Sequence, residues 1–370
     1  MAEAQRARAL DVLRGATLAL MIVVNMSISE ALSYGPLLHA PWHGLTLTDV
    51  VFPTFLFVVG AALSFTLPRY ERLGEAALLV KLFRRSALIF LCGYLLSWFP
   101  FVRVGPDGGL ALLPLTGTRI LGVLQRIALA YAIAALLLHY GRARAALIYS
   151  GAVLLLCWWV LAQWGDLSLA GNAARKLDLW LLGEAHLYRG EGLAFDPEGL
   201  LGTLPAVVHV LAGHAAAGLV QRRGPGYESI AKLLMAGLLA IALALAWHGV
   251  LPINKKLWTS SYVLCTVGID LCLLGLLVWA VDLRGWRRGC AFFEVFGRNT
   301  LFIYLLAEVA MSLLWLLPLQ GRPLFEQLYA HGFQSWAGDK PGSLLFALCF
   351  MLACWAVAAW MDRRQLYIKL

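Results

Sequence analysis

The sequence predicts an all-α integral membrane protein, a single bundle of about ten transmembrane helices with both termini in the cytoplasm. Three observations predict it. Hydrophobic residues make up 61% of the 370-residue chain and charged ones 14%, against roughly 25% charged in ordinary soluble domains. The apolar residues fall into long blocks, as bilayer spans require. The basic residues cluster in alternate segments between those blocks.

The blocks cover about 11–32, 49–67, 86–102, 120–139, 145–164, 199–220, 231–250, 258–281, 294–317 and 343–361. Each approaches the length needed to cross about 30 Å of hydrocarbon. Helix is the default, because backbone polar groups in lipid must pair within their own segment. The first block carries Arg14 and Asn25 and is longer than a signal-peptide core, so it reads as a retained span. With the N-terminus inside, the cytoplasmic side receives Arg6, Arg8 and Arg14, then Arg69, Arg72, Lys81, Arg84 and Arg85. It also receives Arg142, Arg144, Arg222, Arg223, Lys232, Arg284, Arg287 and Arg288, and finally Arg363, Arg364 and Lys369. The first outside loop, 33–48, has no Lys or Arg. This is the positive-inside pattern. It accounts for the net charge of +9 without nucleic acid, and no basic stripe is interleaved with aromatics. The outside loops 33–48, 165–198 and 318–342 are too short to be domains, so residues 1–370 form one transmembrane domain.

The absent motifs narrow the chemistry. The seven cysteines are odd in number, lie mostly in apolar spans and form no C-x-x-C, so neither a disulfide framework nor a metal site is expected. There is no Walker loop, dinucleotide fingerprint or H-E-x-x-H, which removes support for ATP-driven transport and zincin chemistry. No internal repeat is visible, and a repeat would have favoured a transporter.

Polar residues inside spans are costly and invite a reason. Asn25 follows Asp11 by fourteen residues, about 21 Å along a helix, which puts it in the outer part of span one. The next loop, L-H-A-P-W-H-G at 38–44, holds His39, Trp42 and His43, and its Pro and Gly let it fold back toward Asn25. Histidine takes protons near neutral pH. His39 is thus either a catalytic base or an interfacial loop histidine, and Asn25 either an active-site amide or helix glue. Thr48–Asp49 opens span two, as an N-cap or as a carboxylate that orients a histidine or holds an ammonium. In R-I-L-G-V-L-Q-R at 119–126, Arg119 and Arg126 are expected on one helix face beside Gln125. Snorkelling explains Arg119, but Arg126 lies too deep for it. In F-D-P-E-G-L-L at 195–201, Asp196 is the expected N-cap of the next span, with Glu198 in its first turn. In P-I-N-K-K-L-W-T-S-S-Y at 252–262, Lys255 and Lys256 break the positive-inside trend, and Trp258 follows them. Arg298 and Asn299 lie at the inner end of span nine, with Arg14 on the same side. An anionic cofactor arriving from the cytoplasm would meet them there, although membrane-edge anchoring also explains Arg298.

Taken in order, D-V-L-R-G, Asn25, L-H-A-P-W-H-G-L-T-L-T-D-V-V-F-P, R-I-L-G-V-L-Q-R, D-P-E-G-L-L-G-T, P-I-N-K-K-L-W-T-S-S-Y-V and the Y-I-K-L end resemble the heparan-α-glucosaminide N-acetyltransferase family over essentially the whole chain. L-L-G-E-A-H-L-Y at 181–188 is similar to a lumenal-loop segment of the family's lysosomal member. The resemblance implies an acetyl-CoA-dependent amino-sugar N-acetyltransferase in the bilayer. Acetyl-CoA would be taken from the cytoplasm and a glucosamine-type amine acetylated outside; in a bacterium this means the inner membrane and the periplasm. It implies His39 as catalytic residue, Asn25 as active-site asparagine, and a possible homodimer. On this reading Trp42, Asp49, Arg119, Gln125, Arg126, Asp196, Glu198, Lys255, Lys256 and Trp258 form the substrate side. Arg14, Arg298 and Asn299 form the acetyl-CoA side, and no metal is required. Two departures stand out. The lysosomal member has asparagine where this chain has His43, and it carries an N-terminal lumenal domain and span that this chain lacks. A free amino sugar or cell-wall fragment is therefore expected as acceptor rather than a heparan-type polymer. The competing classes are an amino-sugar transporter and an acyltransferase for a lipid or polysaccharide.

Overall fold

The computed structural model describes residues 8–26, 28–104, 110–319 and 321–368. Arg6 and Lys369 lie outside the described residues. The chain is built from helices α1 Arg8–Asn25, α2 Leu47–Glu71, α3 Glu75–Trp98, α4 Val123–Gln163, α5 Ala173–Leu182, α6 Leu200–Arg223, α7 Tyr227–His248 and α8 Ser260–Leu277. They continue with α9 Cys290–Arg298, α10 Thr300–Leu316, α11 Leu324–Tyr329, the three-residue α12 Ser335–Ala337 and α13 Asp339–Arg363. Two minimal hairpins, Val102–Val104 with Leu110–Leu112 and Pro318–Leu319 with Arg322–Pro323, cap loops.

Among the described residues six helices are long and apolar enough to cross a bilayer, and a seventh if α9 and α10 count as one span bent by 84°. The expected block 294–317 is thus broken rather than straight. Span one is shorter than expected and ends at Asn25, not residue 32. The block expected at 86–102 begins earlier and ends at Trp98. Helix α4 is 41 residues, about 60 Å at the usual rise, twice a bilayer's core. It is divided at Arg142, whose φ of 52° and ψ of −151° are not helical. Arg126 near its start bonds the Gly199 carbonyl, and Cys157 near its end approaches the Leu201 carbonyl. Both halves therefore return to the head of α6, as the separate blocks 120–139 and 145–164 anticipate.

Helices α2 and α6 form the centre: 67% and 72% of their most apolar stretches are enclosed, against 28% in α7. Two glycines let them touch. A Cβ on Gly60 would stand 1.8 Å from the Val210 carbonyl oxygen, and one on Gly213 1.8 Å from that of Phe57. Helix α7 instead presents Met235, Leu238, Leu239, Leu243 and Leu245 outward, a face suited to lipid.

The connecting loops gather at two ends. At one end Gly44 donates to the Ile253 carbonyl, Ile120 to that of His186, and Trp42 Nε1 to that of Leu167 at 2.6 Å. These contacts knit together the loops after α1, α3, α4, α5 and α7. At the other end His139 meets Glu71, Tyr140 donates to Glu75, and the Arg8 backbone N–H donates to Asp282.

Candidate active site

The loop after α1 and the head of α2 build the centre of the site. Thr46 is the N-cap of α2 and Asp49 its N3 residue, forming a capping box. The cap is thus two residues earlier than the sequence suggests, because Leu47 already belongs to the helix. Asp49 Oδ2 accepts from the Ala40 and Thr46 backbone N–H groups and from the Thr46 hydroxyl, each at 3.0 Å. Its other oxygen, Oδ1, lies 2.7 Å from His39 Nδ1. A carboxylate accepting at Nδ1 leaves the Nε2 lone pair free for a proton. Asp49 is buried and its other bonds fix its orientation, while the His39 side chain is 49% exposed. A half-open imidazole thus stands on a rigid carboxylate.

Lys255, from the loop after α7, completes the group. Its Nζ lies 3.2 Å from His39 Nε2, 3.0 Å from Nδ1 and 3.8 Å from Asp49 Oδ1. With Nδ1 donating to Asp49, Nε2 is the ring atom able to accept from Lys255. Burial lowers the Lys255 pKa below the usual lysine range, with Asp49 and Glu198 opposing that effect. Burial, then His248, also lowers that of His43. His43 turns away to Asn254, whose amide nitrogen is 3.3 Å from its Nδ1. Lys256 clamps two loops together, donating to the Pro41 carbonyl and to Glu191 at 2.6 Å.

A second cluster adjoins the first. Arg119 binds Asp196 through two nitrogens at 2.9 and 2.6 Å and Glu198 at 2.6 Å, and lies over the Tyr188 ring. It does not share a helix face with Arg126, because Gly122 is extended and α4 starts only at Val123. Asp196 is not the cap of α6 either. Its Oδ1 accepts from the Glu198 N–H, and Gly199 takes the N-cap position. Burial alone would raise the Glu198 carboxyl, but Arg119, Arg126 and Lys255 hold it below the usual range. Burial disfavours the Arg119 cation, yet Asp196 and Glu198 reverse this and raise its pKa. Arg126 is wholly enclosed, donates to the Pro197 and Gly199 carbonyls, and stacks on Trp258. Its Nε and Nη1 have no partner among the described residues. Trp258 is itself buried against Phe52, His209 and Tyr262, so it forms a wall rather than an open sugar platform. Gln125 packs toward Gly93 of α3. The Tyr262 hydroxyl donates to the Asp49 carbonyl and ties α8 to the site.

Asn25 closes α1 and takes a partner from α10. Its Nδ2 donates to Glu308 of α10 at 2.8 Å. Sequence reasoning misses Glu308 and Tyr304, although a carboxylate inside an apolar block is the available signal. The Arg14–Arg298–Asn299 group does assemble, around the α9–α10 bend. Arg14 donates to the Gly297 carbonyl and Asp11, and Arg298 to Asp362. Asn299 is buried and spends its amide on the Leu366 carbonyl and the Ile368 N–H, a structural use.

Fold and site together define a multi-pass helical membrane protein with a histidine–carboxylate–lysine centre at one end of its bundle. Residues 6–249 match the family model described as heparan-alpha-glucosaminide N-acetyltransferase, catalytic, and the chain belongs to that family. It is 28% identical to the heparan-alpha-glucosaminide N-acetyltransferase of Homo sapiens over 82% of this chain and 53% of the relative. The same enzyme of Mus musculus matches at 28% over 83% and 54%. The chain thus spans about half the length of the curated relatives it matches.

Proposed function

We propose that this protein is a membrane N-acetyltransferase that moves acetyl from cytoplasmic acetyl-CoA to the amine of a glucosamine-type sugar on the outer, periplasmic side. The observation that carries this reading is the Asp49–His39–Lys255 chain in a loop-built site at one end of the bundle. Amide formation needs a neutral amine and a leaving thiol. His39 Nε2 takes the proton of the acceptor's ammonium, and Asp49 stabilises the imidazolium that results. Lys255, as the neutral amine, accepts that proton from Nε2, and the N–H proton lost as the amide forms passes through His39 to the departing thiolate, so CoA leaves as the thiol. The Asn25 amide stabilises the oxyanion on the thioester carbonyl. His39 either acts as base throughout or carries acetyl covalently. Arg119, Asp196 and Glu198 border the sugar, with Trp42 beside them. Arg14 and Arg298, at the other bend, meet the phosphates of CoA. The reading includes ten spans, α4 counting twice, and cytoplasmic termini in a bacterial inner membrane. The lysine- and arginine-poor loop 33–48 supports that orientation.

The test is release of free thiol from acetyl-CoA by the purified protein. Glucosamine should accelerate it, and N-acetylglucosamine, with no free amine, should not. A transporter of amino sugars would release none, and that result would end the acetyl-transfer reading.

A further inference from the structure

Glu308 is a half-buried carboxylate inside α10 without a countercharge. It lines a narrow cleft with Met21, Ile22, Asn25, Tyr304 and Phe350. Its Oε1 accepts from Asn25, a neutral amide. Among the described residues it forms no ion pair. An ionised carboxylate held in apolar surroundings without a cation is costly. Three buried acids of the neighbouring site do have a cationic partner: Asp49 has His39, and Asp196 and Glu198 have Arg119.

We infer that Glu308 is the anchor for the acceptor's ammonium, making this cleft a subsite for a primary amine in its cationic form. The inference rests on the acetyl-transfer reading for its biological sense, but the binding stands by itself. A bound ammonium supplies the countercharge the fold omits. It also brings the reacting nitrogen beside Asn25, while the apolar wall of Met21, Ile22 and Phe350 disfavours bulky polar substituents there. N-acetylation removes the charge, so the product loses its anchor and is released. Substrate and product are thereby distinguished by charge at a residue far in sequence from His39.

Binding is measured on the full chain in detergent micelles, with glucosamine and methyl glucoside as probes. The wild type should bind glucosamine at least about tenfold more tightly, the scale of one charged hydrogen bond. Glu308→Gln should abolish that preference and Glu308→Asp should keep part of it, with melting profiles checking that both fold. Should the Gln variant not fold, the native protein still answers. Glucosamine should shield Glu308 from a carbodiimide, read by mass spectrometry, and methyl glucoside should not. An unchanged preference in a folded Gln variant, no preference in the wild type, or no shielding overturns the inference. Amine preference without thiol release keeps the subsite and sinks acetyl transfer. Thiol release by Glu308→Gln at an unaltered KM for glucosamine does the reverse.

Discussion

His39 and Asp49 act as one unit if Asp49 serves to set the imidazole's tautomer, since a base with the wrong nitrogen protonated cannot accept. His39→Ala is then expected to lower turnover by at least roughly 10²-fold. Asp49→Asn should approach that loss, and the double variant should be no slower than His39→Ala alone. Rates that fall multiplicatively in the double variant would show two independent roles. Asp178, in α5, gives a stability prediction. Burial raises its carboxyl to about 7, with Asp196 adding to the rise and the Leu200 N–H and Arg126 opposing it. The folded state thus holds a proton that the unfolded chain gives up near the ordinary aspartate value of 3.8. Its contribution is complete below that value and is lost as pH rises through about 7. The melting temperature should fall between pH 5 and pH 8, and Asp178→Asn should flatten that slope. An identical slope in the variant would remove Asp178 as the cause. Much of this chemistry is legible as residue types: His39, Asp49, Lys255 and Arg126 are each conspicuous as polar groups near or within apolar blocks. Their partners are less so. Lys255 stands 216 positions from His39, and a single sequence carries no trace of that contact. The partner of the Asn25 amide, Glu308, is 283 positions away and leaves no more trace in a single sequence.

At the scale of elements, the bundle turns on the contact between α2 and α6. Their backbones meet at Gly60 and Gly213, where a single methyl would enter a carbonyl oxygen of the neighbouring helix. Neither backbone can yield without moving a central helix. Gly60→Ala should therefore cost on the order of 3 kcal/mol or abolish folding, despite the better helix propensity of Ala. Gly151→Ala, in α4 with open space where its Cβ would go, should be neutral or slightly stabilising. Equal melting temperatures for the two variants would show that α2 and α6 can separate freely. Hydropathy locates the helices well, because apolar length is a property of each segment alone. It places their ends less well. Residues 26–32 are apolar enough to extend span one, yet the chain leaves the helix at Asn25. Arg119 looks helical because Gly122 reads as a small helix residue, whereas its backbone is extended. The 84° bend at Asn299 arises from tertiary contacts with the C-terminal segment, which periodicity does not report.

For the whole molecule, orientation decides whether the site geometry serves a reaction across the bilayer. Arg14 and Asn25 lie on the same helix, eleven residues and about 16 Å apart. The proposed CoA-binding group and the acceptor site are therefore separated by roughly half of a bilayer's hydrocarbon thickness. Acetyl transfer then needs only a thioester that reaches inward from one side and an amine from the other. The loops at each end are knitted to one another, so the orientation of one loop fixes the rest. Tyr34, in the loop with His39, and Leu73, between Arg69 and Lys81, are both exposed and lie at opposite ends. In a variant whose seven cysteines are replaced, Tyr34→Cys should react with an impermeant thiol reagent added to intact cells. Leu73→Cys should react only after the membrane is opened. The reverse labelling would put His39 in the cytoplasm, beside acetyl-CoA. Acetyl transfer could then still occur, but not across the membrane, and the acceptor would have to be sought inside the cell. Labelling of both from outside would mean that the two loops do not lie on opposite sides of the bilayer, and the ten-span topology would fall with it.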